Sequence, residues 1–117
     1  MNYFRIYAGP DGESHFEDVS VALGEQRGGS EYSDLVPATG VIFRRSSADQ
    51  FLDWHPAPRR QFVVTLSGEA EVEASDGEVR HLGPGTIMLA EDITGKGHIT
   101  RGLGTTERLS LFIPLPD

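Results

Sequence analysis

Fourteen glycines and seven prolines cut this 117-residue chain into pieces too short for ordinary helices. No segment holds ten or more residues at helical spacing, and between the breaks apolar and polar side chains alternate with the period of a strand. "YFRIY" (3–7) reads as a strand stopped by the turn "GPDG" (9–12), and "SHFEDVSVAL" (14–23) as an edge strand. "GEQRGGSEYSDLVPA" (24–38) is polar and glycine-rich, a loop with room for one short turn of helix, and "TGVIFRRS" (39–46) is β again.

The centre is clearer. "QFVVTLSG" (61–68) sets Phe62, Val64 and Leu66 on one face and Gln61, Val63 and Thr65 on the other. Apolar residues on both faces predict a strand covered on both sides. In "GEAEVEASDGEVRHL" (68–82), Ala70, Val72 and Ala74 alternate with Glu69, Glu71 and Glu73 before "SDG" turns the chain, which predicts a hairpin with a solvated acidic face. "GPGTIMLA" (83–90) is a tight turn into an apolar strand, and "EDITGKG" (91–97) is a polar loop. "HITRGL" (98–103) and "RLSLFIPL" (108–115) follow as strands, the last with Leu109, Leu111 and Ile113 on one face. Eight or more short strands with Gly/Pro turns predict an all-β sandwich or barrel. The length suits a single domain.

Charge and composition narrow the partners. The formal net charge is −8, a field that repels nucleic acid and anionic membrane, so neither is an expected partner. No apolar run approaches the roughly 18 residues of a membrane span, and "MNYFRIYAGPDGESHFEDV" lacks the pattern of a secretion signal. The absence of cysteine excludes disulfides, thiolate nucleophiles and zinc–sulfur sites. A cytoplasmic location is the expectation.

The segments fall in the order of two motifs, and on these the chain resembles the cupin superfamily. The first cupin motif runs G-x5-H-x-H-x3,4-E-x6-G. Here His55 takes the first histidine position, Ala57 the second, Gln61 the glutamate, and Gly68 the closing glycine. The second runs G-x5-P-x-G-x2-H-x3-N. Gly85 opens it, Glu91 stands for the proline, Gly97 and His98 end a slightly longer loop, and Gly102 replaces the asparagine. The match spans about residues 40 to 113. "GESHFEDV" and "AEDITGKGH" are similar to segments of small bacterial cupin-domain proteins. The resemblance implies a cupin-type jelly-roll β-barrel, with residues 40–117 as its core and the strands and loop of residues 1–39 packed on it.

It also implies a site. A cupin centre has three histidines and a carboxylate around a divalent metal; here His55, Gln61 and His98 remain at ligand positions. They are compatible with one loosely held Fe, Mn, Ni, Zn or Cu ion, and equally with no metal at all. A fourth ligand would come from His15 or Glu91. His81 is expected on the hairpin surface. Trp54, Arg59 and Lys96 are candidate substrate-binding residues: Trp54 as a rim wall, Arg59 as a guanidinium able to pin a carboxylate, and Lys96 as a cation two residues before His98. Lys96 has an alternative fate in pairing with Glu91 or Asp92. One of Arg44 and Arg45 is expected to face inward.

Two functions follow. In the first, His55 and His98 are catalytic, with a metal or by direct acid–base action, in an isomerase, cyclase or lyase acting on a small carbonyl or hydroxy compound. In the second, the pocket binds or senses a small molecule without converting it. The apolar strand 61–66 and the "LSLFIPL" segment make a homodimer the expected assembly; a purely structural role would rest on that assembly alone.

Overall fold

Alternation in the sequence becomes two facing sheets in the computed structural model, which describes the backbone of residues 1–117 and every side chain except that of residue 25. Twelve strands follow in chain order: β1 Asn2–Ala8, β2 Ser14–Ser20, β3 Glu25–Arg27, β4 Ser30–Tyr32, β5 Ile42–Ser46 and β6 Phe51–His55, then β7 Gln61–Ser67, β8 Glu69–Ala74, β9 Val79–Leu82, β10 Ile87–Glu91, β11 His98–Leu103 and β12 Arg108–Pro114. The described residues form no helix, hence none able to cross a membrane.

A six-stranded sheet has the order β2-β1-β10-β7-β12-β5, and a four-stranded sheet the order β6-β11-β8-β9. They share one core, in which Phe4, Ile6, Val63 and Met88 of the first sheet meet Val72 and Leu82 of the second. No hydrogen-bonded ladder joins the two sheets among the described residues, so the all-β expectation is met as two facing sheets and not as a closed barrel. Of residues 1–39, β1 and β2 belong to the larger sheet, where β1 runs parallel to β10, and β3 and β4 form a two-stranded sheet of their own. Cross-sheet bonds fasten one flank. Arg80 of β9 donates to Asp18 of β2 at 2.7 Å, and the Ser14 hydroxyl donates to the Gly97 carbonyl at 2.7 Å.

The loop expected over residues 24–38 contains a small hairpin instead of a turn of helix. β3 and β4 pair across Gly28 and Gly29, both at positive φ, which is the backbone a two-residue type I′ turn demands. A second departure concerns residues 51–55, a strand in their own right, so His55 ends β6 in one sheet while Gln61 opens β7 in the other.

The alternation of β7 and β12 is as the sequence indicated, but the inner row is the more polar one. Gln61, Val63 and Thr65 are buried, whereas Leu66 is exposed. On β12, Arg108 and Ser110 are buried while Leu109 is exposed. The interior therefore divides into an apolar layer beneath β1, β8 and β10 and a polar one beneath β5, β7 and β12.

Gly97 joins these features to the site. Its φ is +74°, and a Cβ there would overlap the His55 carbonyl. Gly97→Ala thus meets both a left-handed backbone penalty and a backbone collision. It is expected to lower the unfolding free energy by about 2 kcal/mol or more. Urea denaturation checks this, and an unchanged midpoint would mean that the 94–97 loop is free to move.

Candidate functional site

His55 and His98 are paired across the β6–β11 ladder, which puts their side chains on one face. Their ring centroids lie 4.5 Å apart. The ladder register shifts between His98 and Thr100, an irregularity of the kind that re-aims side chains beside functional sites. Both rings line a cavity of about 230 Å³ between the sheets. Gln61 and Ala57 line it as well, so three of the motif positions considered as ligands do converge, and the position of the absent second histidine faces the same space.

The protein fixes both rings through Nδ1. His98 Nδ1 donates to Asp92 Oδ2 at 2.5 Å, and His55 Nδ1 donates to the Asp53 carbonyl at 2.7 Å. A donating Nδ1 on a neutral ring leaves Nε2 as the bare, basic nitrogen. Asp92 is the residue the sequence reading missed. It follows β10 in a stretch read as a polar loop, yet it is fully buried. Its backbone carbonyl also accepts the Ala57 N–H at 3.0 Å, so one residue anchors His98 and the chain just after His55. A carboxylate buried behind a histidine sets ring orientation and tautomer, as in Ser-His-Asp sites.

Three arginines lie at or beside the cavity: Arg44 on β5, Arg108 on β12, and Arg59 in the β6–β7 connection. Arg108, 2% exposed, and the half-buried Arg44 line the cavity from the six-stranded sheet. Arg108 Nη2 donates to Thr65 Oγ1 at 2.9 Å. Burial, then the charge of Arg44, pushes the Arg108 pKa down to about 10. Arg44 is the inward member of the Arg44/Arg45 pair. Arg59 stands outside the cavity and donates to Gln61 Oε1 at 3.0 Å.

Several expected site residues lie elsewhere. His15 is not a fourth ligand: its ring sits between Asp11 and Asp76, whose carboxylates raise its pKa, Asp11 more strongly. Glu91 is engaged by Arg60 at 2.9 Å and Arg5 at 3.2 Å. Lys96 pairs with Glu13, not with Glu91 or Asp92. Trp54 neighbours His55 on β6 and so points to the opposite face. It lines a separate surface depression with Ser75 and Lys96. Arg59 is spent on Gln61. None of Trp54, Arg59 and Lys96 lines the histidine cavity.

The donor set fits a divalent cation poorly. Among the described residues no three His, Cys, Asp or Glu side chains cluster as ligands. Gln61 turns its amide oxygen to Arg59, leaving an NH2 that can donate a hydrogen bond but cannot ligate. Two guanidiniums face the space that a dication would occupy.

No protein-family model matches the chain, and no curated protein matches it. Among solved structures it is similar to a conserved protein of unknown function from Streptococcus pyogenes, with a TM-score of 0.50 and 18% identity over 73% of this chain and 71% of that one. At that identity the likeness is one of fold.

Asp92→Ala is expected to destabilise the protein by about 1–3 kcal/mol, since it leaves a buried ring donor without an acceptor. In the wild type, 15N-resolved imidazole spectra of the neutral rings should report protonated Nδ1 and bare Nε2 at both His55 and His98. A proton on His98 Nε2 would contradict the geometry.

Proposed function

We propose that this chain is a divergent cupin that moves protons on a small carbonyl or hydroxy compound, as an isomerase, cyclase or lyase, with His98 and His55 as its acid–base groups and no metal. The observation that carries the reading is the Asp92–His98 hydrogen bond inside a cavity shared with His55. A buried ring N–H needs an acceptor in any role, but a carboxylate, itself costly to bury, is the acceptor that supports a ring gaining and losing a proton.

The chemistry follows from the two free nitrogens. A substrate C–H beside a carbonyl, or an O–H, lies within reach of His98 Nε2, which takes the proton. Return of that proton to a neighbouring atom, by the same ring or after relay to the bare Nε2 of the adjoining His55, gives isomerisation. Its delivery to a departing hydroxyl gives dehydration. Neither outcome requires an oxidant. A positioned proton-transfer group contributes about 10²–10⁴-fold to rate. The cavity, at about 230 Å³, is smaller than most ligand pockets, which limits the substrate to a few carbons.

Incubation in D2O with small 2-oxo and 3-hydroxy compounds, both acids and neutral molecules, tests the proposal by 1H NMR. Exchange or conversion of at least one compound is expected, falling about 10²-fold or more in a folded His98→Gln variant. Compounds that bind without exchange or conversion would overturn the catalytic reading and leave a binding protein.

A homodimer belongs to the same proposal. β5 ends the six-stranded sheet with Ile42 and Phe43 exposed, and an apolar edge strand favours pairing with a second copy. Sedimentation velocity is expected to give a dimer that Phe43→Glu dissociates, and a monomeric wild type would exclude it.

A further inference from the structure

Arg108 stands apart from the other arginines. Arg5, Arg45, Arg60, Arg80 and Arg101 each meet at least one carboxylate. Arg108 is 2% exposed and meets none among the described residues, in a chain with eighteen acidic residues to choose from. Its Nη2 reaches only the Thr65 hydroxyl, and its Nε–H is buried without an acceptor. Arg44 has no carboxylate partner among the described residues either and rests over the Phe112 ring, 4.9 Å from its centroid. The two guanidiniums come from neighbouring strands, lie close enough for like-charge repulsion, and line the cavity that holds His55 and His98. A buried charge without a counter-charge is costly, and two beside each other more so.

We propose that the cavity takes a small carboxylic acid, its carboxylate held by Arg108 and Arg44 and its carbon chain reaching toward His55 and His98. This rests on the reading of the cavity as a ligand site and names the ligand class. The guanidinium of Arg108 stays protonated at neutral pH even with its pKa lowered to about 10, so the missing partner is an anion. The planar fork of a guanidinium matches a carboxylate through two parallel hydrogen bonds. The remaining walls, among them Leu52, Val63, Leu82 and Met88, are apolar and suit a ligand with a hydrocarbon body. Phosphate sites commonly use a helix N-terminus, and this fold contains no helix among the described residues.

The test is titration calorimetry on the full chain with lactate, pyruvate and 3-hydroxybutyrate, beside their neutral amides and inorganic phosphate. At least one acid is expected to bind, with its amide about tenfold weaker or worse. Arg108→Gln should weaken the acid by at least about tenfold while leaving the amide unchanged. Arg44→Gln, at the half-buried position, should have the same sign and a smaller effect. If Arg108→Gln fails to fold, the wild-type comparison of acid with amide and the Arg44→Gln result decide. Failure of every acid to bind, equal binding of acid and amide, or tighter binding of phosphate than of any acid would each overturn the proposal. An acid that binds without exchanging protons in D2O would leave this inference standing while removing the catalytic one. Exchange confined to neutral compounds would do the reverse.

Discussion

The hydrogen bond between Asp92 and His98 is the constraint around which the interior is arranged. A carboxylate removed from water must be compensated, and here Oδ2 has a ring nitrogen 2.5 Å away while Oδ1 is buried without a partner among the described residues. The same residue uses its main-chain carbonyl to hold Ala57, so the end of β10, the start of β11 and the β6–β7 connection meet at one point. The positive-φ turn at Gly97 brings the chain against the His55 carbonyl and lets His98 enter β11 opposite His55. Loss of the carboxylate would therefore disturb three chain segments as well as one proton position.

Much of the architecture was legible because strand periodicity is local. The β8–β9 hairpin, the faces of β7 and the turn at Gly83–Gly85 follow from residues close together in the chain. Which face points inward is a tertiary matter. Leu109, Leu111 and Ile113 form the more conspicuous apolar row of β12, yet Arg108 and Ser110 are the buried ones. Hydrophobicity alone favours the wrong side of that strand, because its inner surface supplies the polar part of the cavity wall. The hairpin of β3 and β4 is not legible for a different reason: its residues are polar, and only the two glycines encode the turn.

The site was half legible. Motif spacing brought His55, Gln61 and His98 together on paper, and the structure brings them to one cavity. It could not anticipate Asp92, since an aspartate in "EDITGKG" has the composition of an exposed loop. Lys96 is two residues from His98 in the sequence, but Glu13 from the distant N-terminal segment claims it. Arg108 was not legible either: it shares a face with Ser110 and Phe112, and only the tertiary packing turns that face inward.

The parallel pairing of β1 with β10 bears on how the chain reaches this state. Phe4 lies beside Met88 and Ile6 beside Ala90, so β1 gains its second neighbour only when distant sequence arrives. Until then the β1–β2 hairpin presents an open edge carrying Phe4 and Ile6, two side chains destined for the core. Closing so long a loop is entropically expensive and comes late, which places this protein among slow-folding topologies dominated by non-local contacts. During synthesis on a ribosome, the hairpin must wait unsatisfied while most of the remaining chain is made, and that interval is when the molecule is most exposed to pairing with the wrong strand.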